Sequence, residues 1–395
     1  MRPTRHLTVA AFVLSTVLPL GAQNSMNDVL LQIEANNVSL QALRHENEAQ
    51  RQENRSGITL PDPEVGFGYS WGSPEVGANK INVSVTQSFD LSVVAGLKVK
   101  AAKEQDKIGD WLYLAERRRI LLEAKKLCID LVYFNALREA VSSRRSYVEA
   151  MMEKQKKRMA QGESDRIEHN NFMLSLAEIQ GEFAQIETER RTALTQLKAI
   201  NGGNPLEIDF TEYEVVEMPE DFDAWYERAQ ADNPALGLAE QSVMVQQRQL
   251  SLSRSQWLPS VSLGYAGEFV GDERLNGLAV GVSVPLWANL HKVNQAKASM
   301  QAARYRQEDS RQQFASEMEL LYHQTLGLKK VAEIYRTSLE EADNRQLVGK
   351  ALDEGYISIL DYLTQMSLYY EALHRTLDAE RNYQKAYAEL SAFEL

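Results

Sequence analysis

The chain has 395 residues, with 43 Lys and Arg against 55 Asp and Glu and a formal net charge of -12. An acidic balance without a basic cluster argues against a nucleic-acid partner, because phosphate binding needs grouped Lys and Arg to displace counterions. The single cysteine, Cys128, leaves no disulfide framework and no cysteine metal cluster, and 10 Pro in this length with no low-complexity linker point to long helices.

In chain order, the first feature is a secretory signal over residues 1–22. Arg2 and Arg5 supply the positive start, Leu7 to Leu20 the apolar run, and Leu20-Gly21-Ala22 the small-residue exit, with the mature chain starting near Gln23. A short membrane anchor is the alternative, but about fourteen apolar residues fall short of the roughly 20 that a spanning helix needs. No later stretch approaches that length, so a membrane-embedded form of the mature chain has to be a β-barrel. Cys128 lies far from the cleavage region, so a lipid anchor on an N-terminal cysteine has no attachment point.

The rest of the chain is written twice, with an offset of about 195 residues. Asn37-Val38-Ser39-Leu40 in the first half answers Asn233-Pro234-Ala235-Leu236 in the second, and each opens a polar helical stretch. Those stretches stop at Leu60-Pro61 and Leu258-Pro259, where proline withholds a donor and pushes the preceding residue toward extended backbone.

Strands are predicted next, at about 64–71, 81–89, 261–269 and 278–284. Val65, Phe67, Tyr69 and Trp71 alternate with Gly66, Gly68 and Ser70, and Ile81, Val83 and Val85 alternate with Asn82, Ser84 and Thr86. The second half repeats this with Val261, Leu263 and Tyr265, then Leu278, Val280, Val282 and Val284. Period two with large apolar residues on one side fits a lipid-facing barrel strand, and a half-buried soluble hairpin has the same pattern. Lipid is favoured because the surrounding helices are polar and because Phe67, Tyr69, Trp71, Tyr265, Phe269 and Trp287 suit interfacial belts near strand ends.

Each hairpin is followed by a long stretch without proline, Leu97 to about Gln161 and Val293 to about Asp353, read as one uninterrupted helix in each half. At about 1.5 Å per residue such helices approach 90 to 100 Å and must pack on partners. Leu127, Leu131, Phe134, Val141, Val148 and Met151 follow coiled-coil spacing. Gly162 and Gly355 end the long helices, and return helices restart from Ser164-Asp165 and Ser358. Asn201-Gly202-Gly203-Asn204-Pro205 closes the first repeat, residues 23–205; a connector with a short helix at Phe222 to Ala231 fills 206–232; the second repeat is 233–395.

Four strands cannot close a membrane barrel, since closed ones begin at about eight, whereas three chains would supply twelve. Gly355-Tyr356-Ile357-Ser358-Ile359-Leu360-Asp361-Tyr362-Leu363, followed by Ala372 and the Tyr383, Tyr387 and Leu390 stripe, is similar to the second helix-hairpin signature of the TolC family of outer-membrane efflux proteins. Gly162-Glu163-Ser164-Asp165-Arg166-Ile167-Glu168 is a weaker first-half counterpart.

The resemblance covers essentially the whole mature chain. It implies a mainly α fold with a small β part: a homotrimeric helical barrel continuous with a 12-stranded β-barrel in outer-membrane lipid, working with a periplasmic membrane-fusion adaptor and an inner-membrane pump. It further implies a tip contacting the adaptor through Gly162, Glu163, Ser164, Gly355, Tyr356, Ile357 and Ser358. A constriction would be formed by Asp361, six positions past the tip glycine, and by its repeat equivalent Glu168. The further acid of some members is Thr364 here, which puts a double carboxylate gate in doubt. Capping or plain solvation of Asp361 is the alternative role, and turn chemistry that of the tip glycines and serines.

No enzyme motif is present: there is no phosphate-binding glycine loop, nucleophile elbow or paired histidines at metal spacing, and no cofactor or metal is predicted. Met151, Met152 and Met159 read as seam packing rather than soft-metal ligands. The competing class is a soluble periplasmic coiled-coil tether or adaptor with no conductance, which the duplicated apolar hairpin disfavours.

Overall fold

The computed structural model of the protein describes residues 25–56, 58–72, 77–90, 96–160, 166–287 and 289–395. The signal segment 1–22 lies outside them.

The chain opens with α1 (Met26–Asn36), capped by Ser25, and α2 (Val38–Ser56), which precede β1 (Glu64–Ser70) and β2 (Lys80–Phe89). Then come α3 (Leu97–Ala160) and its return helix α4 (Arg166–Ile200). After the connector helix α5 (Phe222–Ala231), the order recurs as α6 (Pro234–Ser255), β3 (Ser260–Val270) and β4 (Glu273–Ser283), then α7 (Lys292–Glu341), α8 (Arg345–Asp353) and α9 (Ile359–Leu390). α3 has 64 residues, so at about 1.5 Å each it reaches roughly 96 Å.

Two features differ from the sequence expectation. The long helix of the second repeat is not continuous: α7 stops at Glu341 and α8 begins at Arg345. Neither proline nor glycine interrupts it; Asp343 and Asn344 do, residues whose short side chains compete for backbone groups. The last strand also starts early, at Glu273 rather than 278, because ladder pairing with β3 needs only backbone groups and continues past the apolar alternation to the turn. That turn is Gly271-Asp272, with Gly271 at φ 57°, the conformation a two-residue hairpin asks of its first central residue.

The four strands form one antiparallel sheet in the order β1-β2-β3-β4. At one end of the long helices, α2 and α6 pack on α3, and α6 also packs on α7; toward the other end α4 packs on α3 and α9 on α7. Gly237 of α6 lies flat on Trp111 of α3, and a Cβ there would stand 2.6 Å from the indole. Large apolar side chains fill the α3/α4 seam: Tyr133, Leu137, Val141 and Val148 meet Phe172, Ile179 and Ile186.

Residues 206–220 cross the helices as a strap held by side chains beneath it. Asn135 of α3 donates to the Ile208 and Phe210 carbonyls (2.8 and 3.0 Å), the Tyr213 hydroxyl donates to the Ile129 carbonyl (3.2 Å), and the Tyr322 hydroxyl of α7 donates to the Pro219 carbonyl (3.0 Å). The chain end also joins the repeats, since Leu395 packs into the cluster built from α1, α3 and α4. Among the described residues no helix is long and apolar enough to cross a membrane.

Candidate functional site

Two places carry the predicted site residues: the sheet and the coil tips. In the sheet, cross-strand partners point to the same side. Val65, Val85, Tyr265 and Leu278 form one row; Tyr69, Ile81, Phe269 and Arg274 form another; Phe89, Val261 and Val282 form a third. The register therefore merges the apolar sides of four strands into a single face. That face is bare in the chain, with Leu278 89% exposed and Val65 and Phe67 both at 73%. The opposite face carries Ser84, Thr86, Ser262, Gly264, Ala279 and Gly281, and a Lys80–Glu268 ion pair at 2.6 Å.

The aromatic residues do not all sit at strand ends. Tyr69, Trp71 and Phe269 lie at the turn end, where Tyr69 and Trp71 stack edge to face at 5.6 Å, and Trp287 follows β4 at the helix end. Tyr265 departs from the belt reading: it is the central residue of β3, paired with Val85 and Leu278, and its hydroxyl donates to Asn276 at 2.9 Å. Phe67 is likewise central in β1. Trp257, exposed just before β3, is a helix-end aromatic that the period-two pattern missed because it precedes the proline that starts the strand.

At the tip of the second coil, α8 ends in a Schellman turn. The Tyr356 N–H donates to the Ala351 carbonyl (2.8 Å) and the Gly355 N–H to the Leu352 carbonyl (3.1 Å), with Gly355 at φ 78°. Ser358 then caps α9. Its hydroxyl accepts from the Asp361 N–H (3.1 Å), and the Asp361 carboxylate accepts from the Ser358 N–H (3.1 Å) and hydroxyl (2.7 Å). This capping box turns Asp361 back onto its own helix start, where the Ser358 hydroxyl and N–H hold the carboxyl below the usual carboxylate range. Tyr356 is 79% exposed, whereas Ile357 is half-buried.

The next residue, Tyr362, is buried and stacks on Tyr147 of α3 at 5.4 Å, so the Asp361 turn is docked on the first repeat. Sequence reading placed Tyr362 in the signature without a role; the stacking partner lies over 200 residues away, beyond any local pattern. The repeat equivalent of Asp361 is placed differently. Glu168, in the first turn of α4, accepts from the Gln155 amide at 2.6 Å, and Gln155 is itself buried. The structure brings Asp361 together with Ser358, and Glu168 with Gln155. Gly162, Glu163 and Ser164 lie outside the described residues. Among the described residues no three His, Cys, Asp or Glu side chains are grouped to hold a metal ion.

Residues 225–393 match the family model described as outer membrane efflux protein. No curated protein matches the chain by sequence. Solved structures similar in fold over nearly the whole chain include CusC, at TM-score 0.75 and 14% identity, covering 93% of this chain and 92% of that one. The CmeC outer membrane channel of Campylobacter jejuni follows at 0.69 and 15%, covering 99% and 93%, and the open-state MtrE outer membrane channel of Neisseria gonorrhoeae at 0.68 and 17%, covering 94% and 88%. In the sequence of its second half the chain is thus similar to outer membrane efflux proteins, and in the fold of the whole it is similar to these solved outer membrane channels.

Proposed function

We propose that three copies of this chain form a duct through the outer membrane and periplasm that carries solutes out of a Gram-negative cell as the exit channel of a tripartite efflux or type I secretion system. The observation that carries this reading is the sheet. Its continuous apolar face is uncovered, β1 and β4 leave open edges at either side, and β2 to β4, at 10 or 11 residues, have the length a tilted strand needs to span a bilayer. Pairing β1 of one copy with β4 of the next closes both edges and turns the apolar face to lipid, giving twelve strands. In this reading residues 23–205 and 233–395 are the two repeats of each chain, joined by the strap at 206–232.

The helical tips form the inner end. Gly355, Tyr356, Ile357 and Ser358, with Gly162, Glu163 and Ser164, are the contact for a periplasmic adaptor that brings an inner-membrane pump. Exposed Tyr356, with Leu360 and Ile167 exposed near it, supports that role. Asp361 and Glu168 supply carboxylates to the narrow end of the duct. A capping box fixes the Asp361 carboxylate in place and keeps it ionised, so three copies form a preset ring that attracts cations and binds multivalent ions. The family is one of efflux channels and not of enzymes.

Single-channel recording in planar bilayers tests both parts. Parent protein is expected to give discrete cation-selective channels blocked by a trivalent cation from the helical side, with selectivity and block weakened in Asp361→Ala. Folded, membrane-extracted protein that never conducts overturns the duct and leaves a periplasmic tether. Channels indifferent to Asp361→Ala keep the duct and remove Asp361 from the constriction.

A further inference from the structure

The sheet register assigns every side chain of the four strands to one of two faces, and on the apolar face Arg274 alone is ionised. It stands in the row nearest the turns, beside Phe269, Ile81 and Tyr69. Among the described residues it has no carboxylate partner, whereas Lys80, on the opposite face, pairs with Glu268 at 2.6 Å. Its chain neighbour Glu273 belongs to that opposite face, in one row with Val270 and Lys80. A guanidinium in hydrocarbon is costly, so a lone one on a lipid-facing wall belongs where the headgroups begin.

A second polar group shares its side of the strand. Asn276 follows Arg274 by two residues, so both side chains leave β4 on one face, about 7 Å apart along the strand. The Asn276 Oδ1 accepts from the Tyr265 hydroxyl at 2.9 Å, which commits the amide oxygen to the sheet and leaves its N–H groups as donors. Gly267 opposite leaves the space for this arrangement: a Cβ there would stand 3.3 Å from the Asn276 oxygen and 3.5 Å from the Phe269 ring. The turns lie at the end of the sheet away from the helices, since α2 and α6 lead into β1 and β3 while β2 and β4 lead out to α3 and α7. With the helices in the periplasm, the row of Arg274 therefore meets the outer leaflet.

We propose that Arg274 and Asn276 form a binding site for the phosphate of an outer-leaflet lipid headgroup. The guanidinium takes two phosphate oxygens through parallel N–H groups, and the Asn276 amide donates to the same headgroup. Tyr265 is a positioning residue that fixes the amide, and Phe269 offers apolar surface to the acyl chains. β4 is the edge strand that meets the β1 of the next copy, so the site lies along the seam between copies. The inference rests on the duct reading, which puts the apolar face in lipid and the turns outermost.

Native mass spectrometry of the full chain, purified in detergent, counts bound lipid during titration with diphosphoryl lipid A or with its phosphate-free counterpart carrying the same acyl chains. The parent is expected to hold the phosphorylated lipid about tenfold more tightly, with the preference falling to about twofold or less in Arg274→Gln. Tyr265→Phe, which releases the Asn276 amide, is expected to weaken the preference by roughly two- to threefold. Lys80→Gln removes a charge at nearly the same level from the opposite face and is expected to change nothing. A preference that survives Arg274→Gln, or that falls equally in Lys80→Gln, overturns the site, and absence of any phosphate preference in the parent overturns it without a variant. Displacement of the lipid by inorganic phosphate alone overturns a lipid as the ligand. Flotation of the parent with phosphatidylethanolamine vesicles reads the duct separately: chain that floats without a phosphate preference loses only the site, and chain that does not float loses both.

Discussion

The first and second coils have one topology and two kinds of seam. α3 and α4 meet through Leu137, Val141, Val148, Phe172, Ile179 and Ile186, bulky side chains that bury within the chain. α7 and α9 meet through Ala332, Ala379 and Tyr383, with Thr325 and Thr376 buried beside them and their hydroxyls donating to carbonyls one turn back on their own helices. The small residues of the second seam remove little apolar area themselves, and Leu320, Ile334 and Leu368 of the same helices stay exposed, as Ile167, Met173 and Leu174 of α4 do in the first coil. A duplicated order of elements therefore does not bring duplicated packing. Both coils leave apolar surface for whatever lies beside them, and they differ in which side chains fill the seam within the chain.

The sharpest way to break this comparison is Phe172→Ala. The side chain is 1% exposed, and a cavity there is expected to cost roughly 3–5 kcal/mol, read as lost hydrogen-exchange protection in α3 and α4 with the second coil unaffected. A loss below about 1 kcal/mol would mean the first seam is no better filled than the second.

Overpacking probes the other seam. Ala379→Leu puts a branched side chain where α7 and α9 approach through small residues, with an expected cost of about 1–3 kcal/mol confined to those two helices. Protection that is unchanged there would show the second coil to be loose rather than close-packed.

The smallest effect sharpens the comparison at the tips. Ser358→Ala removes a cap worth about 1 kcal/mol to α9 and is expected to raise the Asp361 carboxyl toward its ordinary range, measurable by NMR titration. The sign follows from the direction of the shift. A carboxyl held low in the folded state adds stability that is present above its ordinary range and is lost as pH falls through its lowered value, so parent and variant should converge in acid. A titration identical in the variant would show that Ser358 does not hold Asp361.

Much of this was legible in the chain. Leu60-Pro61 and Leu258-Pro259 end helices, alternation from Val65 and Val261 starts strands, and the connector helix runs from Phe222 to Ala231. α1 was not foreseen, although Ser25 and Asp28 form a capping box at its start and Val29, Leu30 and Ile33 are its buried stripe; exposed Leu31 beside that stripe blurs the periodic signal of so short a helix. The break before Arg345 was missed because Asp and Asn inside a polar helix look like any solvated face. Only the lost backbone bonds, and Arg345 turning to Asp343 and Tyr369, reveal it.

The sequence by itself determined the repeat, the kinds of element and the turn chemistry at Gly355 and Ser358, because propensity, proline geometry and capping act within a few residues. The tertiary structure decided which apolar sides merge into one sheet face, that Tyr265 lies in mid-sheet, and that Tyr362 docks on Tyr147. It also decided that Asp361 faces its own cap while Glu168 meets Gln155. Those outcomes depend on register and on partners far along the chain, and no local window contains both members of such a pair.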